Sequence, residues 1–318
     1  MKARGLPIFL FTLLLAVQLA VPIGTGAAPV MAPTHTIAEA RALANGTTGV
    51  TVQGAISTPA NVFASYELWM QDDTAGIDVY RSAGFPGGLQ LGDVIEVTGE
   101  IAEYNGKKEI VPADLGDVVL IDRGVPPTPI VTDTASISED SEGWLVVITG
   151  TVSNKGSSGF NLNDGSGATY IYRDSTTGID LSGINDGDLL TLVGISSQHD
   201  SSAPYDSGYQ VLPRYQYDIA HGEVLPIALA RQESAGVTVT VQGAVTCLPG
   251  TFETPAQNRE LFIQDGTAGI DVFNYGGLPI PAGSLSLGDI VTVTGQIAFY
   301  NGLMEIVPTE IVLSLIHI

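Results

Sequence analysis

Four histidines, one cysteine and 34 carboxylates are the groups with which this 318-residue chain could do acid–base, nucleophilic or metal chemistry. Their spacing assembles no reaction centre. The sequence has no G-x-S-x-G elbow, no H-E-x-x-H pair, no Walker loop and no G-x-G-x-x-G opening a helix. His199-Asp200-Ser201 contains the residue types of a triad, but adjacent side chains cannot all converge, and the stretch lies in a polar loop from Ser196 to Gly208. Asn161-Leu162-Asn163-Asp164-Gly165 superficially resembles a calcium loop. It lacks the first-position acid and the distal glutamate of one, so a hairpin turn explains it better. Asp72, Asp73 and Asp78 could bind a cation weakly but read better as surface turn acids. Cys247 has no histidine nearby in sequence and reads as a small semi-buried apolar group; alone, it can form no internal disulfide. The expectation is a chain with no catalytic residue, no metal site and no cofactor.

Recognition is the better prospect. In a strand, successive side chains face opposite sides. If Leu68, Met70, Ile77 and Val79 point inward, then Trp69, Gln71, Asp78 and Tyr80 point outward. The same register turns Asn161, Asn163, Tyr170 and Tyr172 outward further along, and later Phe262, Gln264, Asp271 and Phe273. Arg81, Lys107 and Lys108 flank the first set; Arg173 and Arg214 accompany the second. Aromatic rings so placed can stack on bases, at ~1–3 kcal/mol each, and the amides can bond base edges or sugar hydroxyls. Against this, Asp78 and Asp271 would repel phosphate, and Leu303-Met304 stand where the first set has Lys107-Lys108. Three uses of these faces stay open: nucleic-acid contact, packing against another module or domain, and glycan binding.

The elements that carry these residues repeat. Val50–Ala55 (V-T-V-Q-G-A), Trp69–Tyr80 (W-M-Q-D-D-T-A-G-I-D-V-Y), Leu91-Gly92-Asp93, Val97–Gly106 and Glu109–Pro112 return as Val239–Ala244, Phe262–Phe273, Leu287-Gly288-Asp289, Val293–Gly302 and Glu305–Pro308. A degenerate third copy lies between them, at Val147–Val152, Phe160–Gly167, Asp186-Gly187-Asp188, Leu192-Val193-Gly194 and Gln210–Pro213. Each copy has alternating β-branched runs separated by turn residues, including an Asn-Gly hairpin signal at Asn105-Gly106. That pattern predicts five strands per copy. Short helices are expected at Thr36–Ala44 and Pro226–Gln232. The boundaries follow as 36–122, 128–220 and 225–312, with Pro126-Pro127-Thr128-Pro129 a stiff linker.

The succession V-x-V-x-G, [Q/N]-D-x-[T/S]-x-G, G-D-x-[V/L]-x-[V/L]-x-G and [V/I]-x-P resembles the OB-fold modules of secreted bacterial proteins. Such modules stand ahead of extracellular nuclease or phosphoesterase domains, or beside lamin-tail domains. The resemblance implies an all-β chain of three tandem five-stranded OB-fold barrels. Its partners would be single-stranded nucleic acid or an oligosaccharide, with a catalytic domain as neighbour. It implies binding roles for Trp69, Gln71, Tyr80, Arg81, Lys107, Lys108, Asn161, Asn163, Tyr170, Tyr172, Arg173, Phe262, Gln264 and Phe273.

The rest of the chain sets the context. Lys2 and Arg4, the apolar run Leu6–Val21 and the small residues Gly24–Ala27 read as a secretory signal over 1–27, and so as export to the cell surface or beyond. The net charge of −22 becomes more negative once those two cations leave, the wrong sign for generic affinity to a phosphate backbone. Residues 313–318 resemble a translated sequencing-transposon end. The expectation is that the native frame continues beyond Val312 and that a catalytic domain belongs there.

Overall fold

A computed structural model describes residues 33–252 and 258–314. The expected signal at 1–27 and the tail beyond Ser314 lie outside the described residues. The first module contains α1 (Ile37–Arg41), β1 (Val50–Thr58), β2 (Glu67–Gln71), β3 (Gly76–Tyr80), β4 (Val94–Tyr104), β5 (Lys107–Val111) and β6 (Val118–Asp122). The second contains β7 (Ile130–Val131), β8 (Leu145–Ser153), β9 (Gly159–Asn163), β10 (Ala168–Tyr172), β11 (Leu189–Gln198), β12 (Tyr209–Leu212) and β13 (Ile219–His221). The third contains α2 (Ile227–Ala230), β14 (Thr238–Cys247), β15 (Glu260–Gln264), β16 (Gly269–Phe273), β17 (Ile290–Tyr300) and β18 (Leu303–Leu313).

One strand order is used three times. The rings run β1-β2-β3-β5-β4, β8-β9-β10-β12-β11 and β14-β15-β16-β18-β17, and in each the first strand pairs with the fourth. The third and fifth strands are parallel and the other ring pairs antiparallel. That order makes each ring an OB-fold barrel. The predicted inward set holds: Leu68, Met70, Ile77 and Val79 lie in the core of module one, all 0 % exposed. Gly54 sits where β1 bends over β2, and a β-carbon there would come within 2.8 Å of the Gln71 carbonyl, so only glycine lets the strand coil this tightly.

The sharpest repeat block proves to be a helix cap. In module one, Ile37 N donates to Asp72 Oδ2 at 2.8 Å and Ala38 N to Thr74 Oγ1 at 3.1 Å. In module three, Ile227 N and Ala228 N reach Asp265 and Thr267 at the same two distances. Module two repeats the device, from Thr134 N to Asp164 and from Ala135 N to Ser166, both at 3.1 Å. D-x-[T/S] thus caps a short helix whose orphan amides need acceptors. The capped helices drop Ile37 and Ile227 into the barrel ends, both fully buried. Asp72 and Asp164 therefore hold a helix start rather than a cation.

Each ring has the five strands expected, and modules one and two extend theirs, since β6 adds to β4, β7 to β8 and β13 to β11. Leu313, the first residue of the expected tail, is paired with Val291 at the end of β18; an alternating apolar run continues the ladder wherever a partner strand is long enough.

Candidate functional site

The outward face of the second, third and fifth strands exists in all three barrels, in one register. Trp69, Asn161 and Phe262 occupy one equivalent place, and Asp78, Tyr170 and Asp271 the place beside it. The surroundings of the three faces differ.

In module one the face is covered. Trp69 and Gln71 point out of their barrel, as their register requires, but into module two. Trp69 is 0 % exposed, in a cluster with Phe63, Leu145, Val147, Val193, Ile195 and Leu212. Gln71 Oε1 accepts from Leu145 N at 2.9 Å, fully buried. Lys107 is not a phosphate-facing cation either. Its ammonium lies 2.5 Å from Asp78, 3.3 Å from Glu67 and 5.1 Å from the centre of the Trp69 ring. Burial works against that charge, and Asp78 and Glu67 outweigh it, so Lys107 is held protonated above its ordinary value. Asp78 is not a turn acid but is buried beside that ammonium, and burial raises its carboxyl against the pull of Lys107. Lys108 pairs with Glu103 at 3.3 Å, and the Arg81 guanidinium donates to the Gly84 carbonyl. Tyr80 is half-buried, edge-on to Tyr66 at 5.7 Å. The sequence could not show this closure, because the covering side chains of module two lie more than 70 residues away, as the Gln71–Leu145 bond illustrates with its separation of 74.

The junction extends to a single cation. Arg214 is 1 % exposed; it pairs with Asp218 at 3.0 Å through Nη2 and Nε, and its Nη1 donates to the Ser57 carbonyl of module one at 2.8 Å. A β-carbon on Gly266 of module three would come within 2.6 Å of Arg214 Nη2. All three modules therefore meet at this guanidinium. Gln242 adds a link from module three to the Ile219 carbonyl of module two at 3.0 Å.

In module two the strands of this face carry no carboxylate; at one side Tyr172 packs against the Trp69 cluster and, with Gln210, borders a cleft that Glu67, Lys107 and Asp174 also line. Glu67, Asp78 and Glu109 of module one become Gly159, Tyr170 and Gln210, by the pairings Gly159–Tyr172 and Tyr170–Gln210. Tyr170 is exposed, Tyr172 half-buried, and their ring centres stand 6.5 Å apart. Asn163 is exposed and Asn161 half-buried. Arg173 donates to the Ile179 and Ser157 carbonyls at 3.3 and 3.4 Å, which aligns it along the edge of the face, and Lys155 stands in the adjoining loop. Sequence reasoning missed Gln210 and Lys155; the signal lay in the aligned repeats, where the acids of the two siblings are replaced together.

In module three the acids remain, and Leu303 stands where module one has Lys107. Phe262 and Phe273 are half-buried and Gln264 is exposed. Asp271 is buried, and burial together with Glu260 and Glu305 pushes its carboxyl up to about 7. The folded state thus holds a proton that the unfolded chain releases near the ordinary value of 3.8. This group's contribution to stability is complete below that value and declines as pH rises to about 7. Asp271→Asn is expected to unfold at a higher temperature than the parent at pH 8 and at nearly the same temperature at pH 4. A parent–variant difference in melting temperature that does not grow between pH 4 and 7 would contradict this.

An open cleft of about 830 Å³ also lies beside module one, lined by Trp144, Gln53, His35, Asp72 and Asp73. Among the described residues no group of three or more His, Cys, Asp or Glu is placed to hold a metal ion, and no helix is long and apolar enough to cross a membrane.

No family model matches the chain. It is 30 % identical over 200 residues to Endonuclease YhcR of Bacillus subtilis (strain 168), covering 58 % of this chain and 16 % of that protein. The chain thus spans about a sixth of the length of the relative it matches. Among solved structures it is similar to the tetrameric p202 HIN2 (14 % identity, TM-score 0.30, 57 % of this chain and 97 % of that one). It is also similar to the single-stranded DNA binding protein of Thermus aquaticus (15 %, 0.18, 53 % and 91 %) and a replication protein A heterotrimer bound to ssDNA (9 %, 0.23, 86 % and 95 %).

Proposed function

We propose that this chain is an exported nucleic-acid-binding array and that it engages single strands on the β9–β10–β12 face of module two. One observation carries the reading: the strands of this face have lost all three carboxylates that their siblings keep, with Gly159, Tyr170 and Gln210 in their place beside Tyr172, Asn161 and Asn163. Stacking would supply most of the affinity, at ~1–3 kcal/mol per base. Arg173 and Lys155 supply a small salt-dependent part, because the chain as a whole is acidic. The similarity to a segment of an endonuclease supports a supporting role beside a nuclease domain, in which the array presents substrate. The basic-then-apolar opening of the sequence supports export.

The test is fluorescence anisotropy with a labelled single-stranded oligonucleotide at low and moderate salt. Tyr170→Ala and Tyr172→Ala should each weaken binding roughly 5- to 150-fold, the equivalent of ~1–3 kcal/mol, while Phe262→Ala leaves it unchanged. An oligosaccharide panel run on the same variants separates base stacking from sugar stacking. Absence of binding at low salt, or indifference to both tyrosine changes, rules the reading out.

A further inference from the structure

Modules one and three build the same acidic face and neutralise it differently. In module one Glu67, Asp78 and Glu109 surround the Lys107 ammonium, which also lies over the Trp69 ring. In module three the same register brings Glu260, Asp271 and Glu305 together, with Asp271 facing Glu305 across the parallel pair just as Asp78 faces Glu109. Leu303 stands in the place of Lys107, and Phe262 in that of Trp69. Asp271 is 2 % exposed and its Oδ1 has no hydrogen-bond partner. A buried carboxylate oxygen left without a partner is costly, and one module away the Lys107 ammonium forms an ion pair with its counterpart Asp78.

The rim is apolar and accessible. Phe262 meets Phe252 edge-to-face at 6.1 Å, Phe252 is 73 % exposed, and Leu303 is also exposed. These groups suit the hydrocarbon part of an aliphatic amine, with Phe262 giving its face to the charge. The carboxylates are not spaced for a metal ion. We propose that this face of module three is a binding site for a primary alkylammonium group, which takes from outside the place that Lys107 fills in module one. Two sources carry that chemistry: the lysine side chain of a protein partner and a free polyamine. The site is independent of the tyrosine face of module two.

The experiment is an NMR titration of the isotopically labelled chain with n-butylammonium, with spermidine and with a capped Gly-Lys-Gly peptide; its lysine-acetylated form is the control. Saturable shifts are expected at residues 260–264, 269–273 and 303–307, with none from the acetylated peptide. Asp271→Asn should weaken binding at least tenfold. Leu303→Lys should abolish it, because its own ammonium would fill the site, and should raise the melting temperature. Tighter binding of the peptide than of spermidine assigns the site to a protein lysine, and the reverse order to a polyamine; either supports the proposal. No saturable shift with any amine, or shifts untouched by both substitutions, overturns it.

Discussion

Arg214→Ala is expected to destabilise the protein by about 3–5 kcal/mol, the usual cost of removing one partner from a buried ion pair. The change strands Asp218, whose side chain is 2 % exposed, and leaves the Ser57 carbonyl of module one without its donor. It also empties the space beside Gly266 of module three. The loss should therefore reach beyond module two, and modules joined in one unfolding transition should begin to separate. Urea unfolding followed by tryptophan fluorescence, which reports Trp69 and Trp144, measures both effects. Replacing Arg214 with Met and Asp218 with Leu together should recover much of the loss, since an apolar pair leaves no buried charge unpaired. A single-variant loss below about 1 kcal/mol would show that the guanidinium is not the point where the modules are joined.

Trp69→Ala comes next in size, at about 3–5 kcal/mol, the range for removing a large buried aromatic. The ring is completely buried among Phe63 and side chains of module two, and its indole Nε1 donates to Glu67 at 2.8 Å. Removing it opens a cavity between the modules and takes away the ring beneath Lys107. Affinity for single strands, referred to folded protein, should stay unchanged. Here the expected result differs from what the outward register alone suggests. If Trp69→Ala weakened oligonucleotide binding while leaving stability intact, the face of module one would have to open to its ligand, and the closed junction would not be the binding form.

Much of the fold is legible in the residues. The period-two alternation of β1 to β5 sorted the inward set correctly, and the repeated blocks predicted three barrels. The block Q-D-x-T-A-G looked like a turn and is also a helix cap, because its acceptors serve amides that lie 35 or more residues earlier in the chain. The candidate site was legible in part. Tyr170 and Asn163 face solvent as their register requires, whereas Trp69 and Gln71 have the same outward register and no solvent to face. Lys107 looked like a free cation beside a hairpin; only its neighbours reveal an internal counter-ion.

The sequence by itself determined which side of each barrel a residue occupies, and which copies keep or lose the three acids. Both are local facts, decided by strand alternation and by comparing one repeat with the next. Only the tertiary structure decided what stands opposite each outward face. That depends on how one barrel packs on another, through contacts such as Gln71 with Leu145 and Arg214 with Ser57 that join distant parts of the chain. A buried face and an open one obey the same alternation, so identical patterns could become a sealed junction in module one and an open surface in module two.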